Sequence, residues 1–336
     1  MAKKASLKDI ANNVGVSTAL VSYVLNGLEK EKRVGKEIAD KIREAANKLN
    51  YQPNQIARSL RKGSTNTIGL IVADISNIFF GQLARIIEDE ANKHNYIVIF
   101  GSSDESCAKS ELLVETFLNR QVDGFIIVPS AGCENQLKSL IKKEIPFVLF
   151  DRYFTQLPTS YVMLDNQAAT YDAVSHLLKR GVKNIMMVAY DTPLFHMKER
   201  VEGYRIAIEE NNLKDRIDIK LVNYNKINEE LDTIVQESVV EGNTEAMVFA
   251  TNALCVGALY AIRKRNIKVP EQVALVGFDG SEAFDFYDPP VTCIKQPLEE
   301  MGKESVRLLI DQINGTNRST VQLKLKHRLI ERASSK

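Results

Sequence analysis

No stretch of the 336 residues approaches the roughly 20 consecutive apolar residues that a membrane-spanning helix needs. The opening Met1-Ala2-Lys3-Lys4-Ala5 leads into a helical pattern without the apolar core of a signal peptide. A cytoplasmic location, with no membrane partner, is therefore expected. The four cysteines, Cys107, Cys133, Cys255 and Cys293, are scattered without metal-ligand spacing and suit a reducing compartment. Four histidines form no cluster, and there is neither a GxGxxG nor a Walker-type phosphate loop. The run Val276-Gly277-Phe278-Asp279-Gly280 carries glycines without dinucleotide spacing. No metal, no cofactor and no catalytic set are expected.

What is present is a division of charge. Residues 1–63 hold 13 Lys and Arg against 6 Asp and Glu, a net charge of +7, and the remainder holds 31 against 37, a net charge of −6. Such asymmetry points to a polyanionic partner for the basic end.

The order of residues within that end sharpens the reading. Leu7, Ile10, Ala11 and Val14 recur at helical spacing, Gly15 breaks the pattern, and Ser17 is placed to N-cap a second helix. The second helix, 18–25, turns Leu20, Val21, Val24 and Leu25 inward and stops at Asn26-Gly27. A third apolar period runs through Ile38, Ala39, Ile42, Ala45, Ala46 and Leu49. Two short helices joined by a glycine turn and braced by a third make a helix-turn-helix domain, whose second helix enters the DNA major groove. Its outward positions are expected to be Ser17, Thr18, Ala19, Ser22 and Tyr23, with Asn26 at its end added to the DNA-facing set. Ser17 at the positive helix end suits a phosphate, and Thr18 and Ala19 offer a hydroxyl and methyls to base edges.

The segment Tyr51-Gln52-Pro53-Asn54-Gln55-Ile56-Ala57-Arg58-Ser59-Leu60-Arg61 starts a helix at Pro53 that ends near Lys62-Gly63. A helix that short is marginal alone in water. Apolar Ile56 and Leu60 beside Arg58 and Arg61 suit insertion into a minor groove, with Leu60 as the wedge and Ala57 small enough for close approach of a second hinge.

Together, Leu7-Lys8-Asp9-Ile10-Ala11, Val14-Gly15-Val16-Ser17, Val21-Ser22-Tyr23-Val24-Leu25-Asn26-Gly27, Tyr51-Gln52-Pro53-Asn54 and Ala57-Arg58-Ser59-Leu60-Arg61 resemble the lactose-repressor/galactose-repressor (LacI/GalR) family. The resemblance extends over essentially the whole chain. It implies a ligand-controlled transcription regulator, most often a repressor, acting as a side-by-side homodimer on a pseudo-palindromic operator in double-stranded DNA. The segment 27–35 looks a few residues longer than in familiar members, and its charges suggest an extended surface loop. After Glu331-Arg332 no heptad tail follows, so no separate tetramerisation helix is expected.

From Thr67 onward strand-length apolar runs alternate with amphipathic helices: 68–72, 96–100, 124–128 and 146–150, then, after Gly181, 184–189, 217–222, 246–250 and 273–277. Continuous apolar strands separated by helices indicate parallel sheets covered on both faces. Two such sets give an α/β two-lobed, periplasmic-binding-protein-like sensor with Rossmann-like parallel sheets. Segments 162–165, 292–296 and 321–329 are expected to recross between lobes, and 320–326 to form a half-exposed edge strand. The expected domains are 1–50 (DNA binding), 51–63 (hinge) and 64–336 (effector binding and dimerisation).

In such sheets ligands sit beyond the carboxyl ends of the strands. Reading there gives Asp74, Ser76, Asn77, Phe79 and Phe80, then Asp151 and Arg152, then His196, Arg200, Thr251, Asn252 and Asp279. Carboxylates, an amide and guanidinium groups suit adjacent hydroxyls, and an aromatic ring suits a sugar's C–H face. The resemblance implies ligand contacts at Phe79, Asp151, Arg200, Asn252 and Asp279. Ala253 stands where many members carry Asp, and Leu194 and His196 do not match the purine-sensing pattern, so a carbohydrate effector is favoured. Two other classes are weighed against the regulator. An enzyme acting on a sugar would explain the carboxylates, but no nucleophile–base pair can be named. A sugar-transport protein would lack the basic head.

Overall fold

The computed structural model describes residues 5–51, 64–317 and 319–336, and the chain divides into two compact units, Met1–Thr65 and Asn66–Lys336. In the first, α1 (Leu7–Val14) is capped reciprocally: the Ser6 hydroxyl accepts from the Asp9 N–H, and the Asp9 carboxylate accepts from the Ser6 N–H at 2.8 Å. Gly15 ends it in the left-handed region at φ 77°, donating its N–H to Ala11 O at 2.9 Å. A side chain there is strained, which is why a glycine makes the turn. Ser17 then caps α2 (Thr18–Leu25), accepting from the Leu20 N–H at 3.2 Å. With α3 (Lys36–Lys48) these helices enclose Ile10, Ala11, Val21, Val24, Ala39, Ile42, Ala45 and Ala46.

Three expectations are corrected here. Ile38 is 40% exposed, because it falls off the stripe of Ala39, Ile42 and Ala46. Ser22 is buried, not outward: the Asn26 side chain folds back over it, donating to Ser22 O at 2.7 Å and Ser22 Oγ at 3.2 Å. The 27–35 segment lies on the surface but is not extended. It forms consecutive turns, with Lys32 N donating to Leu28 O at 2.9 Å and Val34 N to Glu29 O at 2.8 Å, and Glu29 ties it to Arg43 of α3 at 2.5 Å.

The second unit holds two six-stranded sheets, the expected two-lobed α/β architecture. The first contains β1 (Thr67–Val72), β2 (Ile97–Ser102), β3 (Gly124–Ile127), β4 (Phe147–Phe150), β5 (Tyr161–Leu164) and β11 (Gln322–Leu325) in the order β11-β5-β4-β3-β1-β2, all parallel. The second contains β6 (Ile185–Tyr190), β7 (Asp218–Val222), β8 (Ala246–Phe249), β9 (Ala274–Phe278), β10 (Thr292–Lys295) and β12 (Arg328–Ile330) in the order β12-β10-β9-β8-β6-β7. Only β12 is antiparallel to its neighbour.

Period-two alternation divides the first lobe's core. Ile126, Val128, Val148 and Phe150 face α4 (Ile78–Lys93) and α12 (Leu298–Ile313). Phe125, Ile127, Phe147 and Leu149 face α5 (Cys107–Asn119) and α6 (Glu134–Lys142). In the second lobe α7 (Asn166–Leu178), α8 (Phe195–Glu210), α9 (Ile227–Val235) and α10 (Asn252–Lys264) cover the sheet around one core, with the short α11 (Glu282–Phe286) beside them. The chain crosses between lobes after β5, after β10 and between β11 and β12, the three expected places. The edge strand β11 alternates exposed and half-buried residues as its sequence predicts. Strands β2 and β7 are edges too, so Ile97 (68% exposed) and Phe100 (58% exposed) are not buried as the apolar run suggested. An edge strand has one neighbour, and the run of residue types does not reveal which strands lack a second.

Candidate functional site

The surface expected to face DNA is built on α2. Ser17, Thr18 and Ala19 are exposed at its amino end, and Tyr23 is half-exposed with Lys32 placed 5.9 Å from its ring centroid. Ser17 carries the cap, so a ligand phosphate there meets a hydroxyl already oriented by the helix. Ser22 is withdrawn from the surface, and the exposed Asn26 has its amide nitrogen turned inward onto Ser22. The hinge residues Ala57, Arg58, Leu60 and Arg61 lie outside the described residues.

The second site is a cleft of about 510 Å³ inside the sensor unit. Phe79, Asp151, Arg152, His196, Arg200, Asn252 and Asp279 all line it, contributed by both lobes. Asp151 follows β4 and Asp279 follows β9, and both adopt left-handed backbone, at φ 64° and 73°. Conformations that cost non-glycine residues about 1–3 kcal/mol persist where the surroundings over-determine them, and they cluster at functional sites.

Arg200 on α8 organises the second-lobe wall. Its Nε donates to Asn166 Oδ1 at 2.8 Å, its Nη1 donates to Ala250 O at 2.5 Å, and its guanidinium lies 3.8 Å from the centre of the Phe278 ring. Its Nη2 faces Asp151 Oδ1 across the cleft at 3.9 Å. Burial pushes the Asp151 and Asp279 carboxyls upward, against the opposing pull of Arg200 on each. Burial, then the charges of Arg152 and Arg200, hold His196 well below the usual imidazole range, so it is neutral.

Arg152 forms a two-pronged pair with Glu105, at 2.6 and 2.7 Å. Phe79 packs edge-on to Phe80 with ring centroids 5.0 Å apart and also approaches Phe150, so it is fixed by the first-lobe core while presenting to the cleft. Asn252 opens α10, whose cap is Thr251.

The lining residues not singled out from sequence include Glu105, Tyr190, Tyr224 and Gln296. Tyr224 donates to Asp74 Oδ2 at 2.6 Å, joining the two lobes, and its ring lies 5.5 Å from that of Tyr190. Gln296 donates to Asp279 Oδ1 at 2.5 Å. Burial pushes the Tyr190 phenol up to about 12. All four stand at or just beyond the carboxyl end of a strand (β2, β6, β7 and β10), so the strand-end rule, applied to every strand, finds them.

Five buried polar atoms in this lining have no protein hydrogen-bond partner: Asp151 Oδ1, Arg152 Nε, Tyr190 OH, His196 Nδ1 and Gln296 Oε1. A buried polar group left unpaired costs about 1–3 kcal/mol, so this lining suits polar rather than apolar company. Among the described residues no cluster of three or more His, Cys, Asp or Glu could hold a metal ion, and no helix is long and apolar enough to cross a membrane.

Both units match known protein families. Residues 6–54 match the family described as bacterial regulatory proteins, lacI family, and residues 174–335 match the periplasmic binding protein-like domain. The catabolite control protein A of Priestia megaterium is 32% identical over 98% of this chain and 99% of its own length. A LacI family transcriptional regulator of Enterococcus faecium, solved with bound ribose, is 28% identical with a TM-score of 0.72, over 80% of this chain and 98% of that one. The lac repressor dimer bound to operator and the anti-inducer ONPF superposes with a TM-score of 0.86 over 99% of both chains. Its identity is 22%, so that likeness is one of fold.

Proposed function

The chain belongs to the LacI family of bacterial regulatory proteins, and from that premise we propose that it is a repressor whose hold on a pseudo-palindromic operator is set by a sugar or sugar derivative in the sensor cleft. It is a DNA-binding transcriptional regulator, and the relatives it resembles are regulators rather than enzymes. The cleft binds and releases its ligand unchanged, in the cytoplasm.

The observation that carries the reading is the convergence of Phe79, Asp151, Arg152, His196, Arg200, Asn252 and Asp279 in one cleft with five orphaned polar atoms. Asp151 and Asp279 accept from adjacent hydroxyls, and Phe79 covers a C–H face. The chain acts as a homodimer, since half-site symmetry in the operator mirrors protein symmetry. Ser17, Thr18, Ala19 and Tyr23 meet the major groove. The 51–63 segment serves as the hinge, with Ala57, Arg58, Leu60 and Arg61 at the minor groove.

The test is a fluorescence-anisotropy titration of the full-length protein on fragments from its own upstream region, at two salt concentrations and with a panel of sugars. Tight, salt-sensitive binding to one palindrome that a single sugar shifts is the expected result. Binding without sequence preference that no compound alters refutes it.

A further inference from the structure

The walls of the cleft also specify the charge of what enters it, an inference that rests on reading the cleft as a carbohydrate site. Among the described residues lining it, the Lys and Arg side chains are Arg152 and Arg200 alone. Neither is free. Both terminal nitrogens of Arg152 are taken by the Glu105 carboxylate, Nη1 to Oε2 at 2.6 Å and Nη2 to Oε1 at 2.7 Å, with Nη1 also 3.4 Å from Pro129 O. Its Nε faces Asp151 Oδ2 at 3.6 Å. Arg200 is spent on Asn166, Ala250 O and the face of Phe278, with Asp151 opposite its remaining nitrogen. His196 is neutral and adds no charge.

Against these two cations stand four lining carboxylates: Asp74, Glu105, Asp151 and Asp279. Of the five orphaned atoms, Asp151 Oδ1 and Gln296 Oε1 only accept, Arg152 Nε only donates, and Tyr190 OH and His196 Nδ1 can do either, so the wall suits groups that both donate and accept. A hydroxyl does both. A phosphate or carboxylate brings further acceptors and a like charge.

Glu105 is held in its position by a constrained loop. Asp104 and Glu105, two successive non-glycine residues, adopt left-handed backbone at φ 49° and 56°. Asp104 is fixed by the Ser102 hydroxyl at 2.5 Å and by an ion pair to Lys109, and the Glu105 N–H donates to Ala73 O at 3.0 Å. Conformations of this kind persist only where the surroundings enforce them. Here the enforced geometry delivers a carboxylate onto the fork of Arg152, the one cation that otherwise recognises a planar oxyanion.

We propose that Glu105 is a charge filter: by occupying the fork of Arg152 it restricts the cleft to uncharged, hydroxyl-rich ligands and refuses phosphorylated or carboxylated sugars. An anion about 4 Å from carboxylates that their arginines only partly offset loses affinity on the order of tenfold or more.

The test uses the full-length protein, with inorganic phosphate, D-ribose paired with ribose 5-phosphate, and D-glucose paired with glucose 6-phosphate. Thermal shift and operator anisotropy are the readouts. Wild type is expected to ignore phosphate and both esters at millimolar concentration. Glu105→Gln keeps the shape, releases Arg152 and is expected to gain stabilisation by phosphate, at least about tenfold in apparent affinity. That gain is lost again in the Glu105→Gln/Arg152→Met double variant. Stabilisation of wild type by either ester, removed by Arg152→Met, overturns the proposal without recourse to any Glu105 variant. A folded Glu105→Gln protein that gains nothing overturns it as well. A panel in which no uncharged sugar acts while phosphate behaves as expected refutes the carbohydrate reading and supports the filter.

Discussion

Arg200 offers the most demanding test of how the cleft is built. Arg200→Met keeps an unbranched apolar stem but deletes the guanidinium that lies over the Phe278 ring, and it removes three functions at once. Ala250 O and Asn166 Oδ1 lose their donor, at about 1–3 kcal/mol for each buried group left unpaired. Asp151 and Asp279 lose the charge that most offsets their burial. Breaking a buried pair by removing one partner costs about 3–5 kcal/mol, because the remaining charge has no compensation. These costs overlap, so the expected loss near pH 8 is about 3–5 kcal/mol rather than their sum.

The sign of the pH dependence follows from the carboxyls. Both are already raised by burial, and without Arg200 they rise further. A carboxyl with a raised folded pKa carries its full penalty above that value and sheds it as pH falls toward the unfolded value. The deficit of the variant therefore shrinks on acidification, by up to about 1.4 kcal/mol per pH unit for each group. Urea unfolding followed by circular dichroism at pH 8 and pH 5.5 measures it. The double variant Arg200→Met/Asp151→Asn removes one orphaned charge and is expected to recover part of the loss. A cost below about 1 kcal/mol at pH 8, an equal cost at both pH values, or a double variant worse than the single refutes this account of the cleft.

Other expectations are more local. His196 is held below its ordinary range, so its contribution is present above about pH 6.5 and lost as pH falls beneath that. His196→Gln should flatten the stability profile there by up to about 1.4 kcal/mol per pH unit, as denaturation midpoints from pH 5 to 7 would show. A Cβ on Gly203 would lie 2.2 Å from the backbone oxygen of Gln167, so Gly203→Ala forces α7 and α8 apart and costs about 1–3 kcal/mol. Gly81→Ala on α4 meets open space and is expected to stabilise by about 0.4–1 kcal/mol, so thermal melts should move in opposite directions. Tyr224→Phe removes the bridge to Asp74 and is expected to weaken effector binding about tenfold, since hydrogen bonds to charged groups contribute about 1.5–3 kcal/mol; unchanged affinity by calorimetry would show that the bridge does not hold the cleft closed.

Much of this molecule was legible because two periodicities carry it. The 3.6 spacing of Leu7, Ile10, Ala11 and Val14 and the turn at Gly15 located the first helices, and apolar strand runs located both sheets. What escaped was set by partners distant in sequence or by side-chain geometry. Ser22 looks outward by residue type, yet Asn26 covers it. Ile97 and Phe100 look like core, yet β2 has a neighbour on one side only. Arg152 was legible as a cleft residue, but its neutralisation was not, because Glu105 reaches it from 47 positions away through a left-handed turn that no local pattern announces.

The contacts between lobes constrain how a ligand can act. The protein alone already joins them through Tyr224 to Asp74 at 2.6 Å, Lys324 to Glu199 at 2.7 Å and the edge-on rings of Tyr153 and Phe195 at 5.1 Å. A ligand shifts this arrangement only by the difference in its affinity for the joined and parted lobes, however tightly it binds either. Groups touching the ligand from one lobe add affinity, whereas Asp151 and Arg200, which face each other from opposite lobes at 3.9 Å, add to that difference. Substitutions at that pair are therefore expected to uncouple ligand from operator, while substitutions at Phe79, seated in the first-lobe core, change the concentration at which the response occurs and leave its amplitude intact.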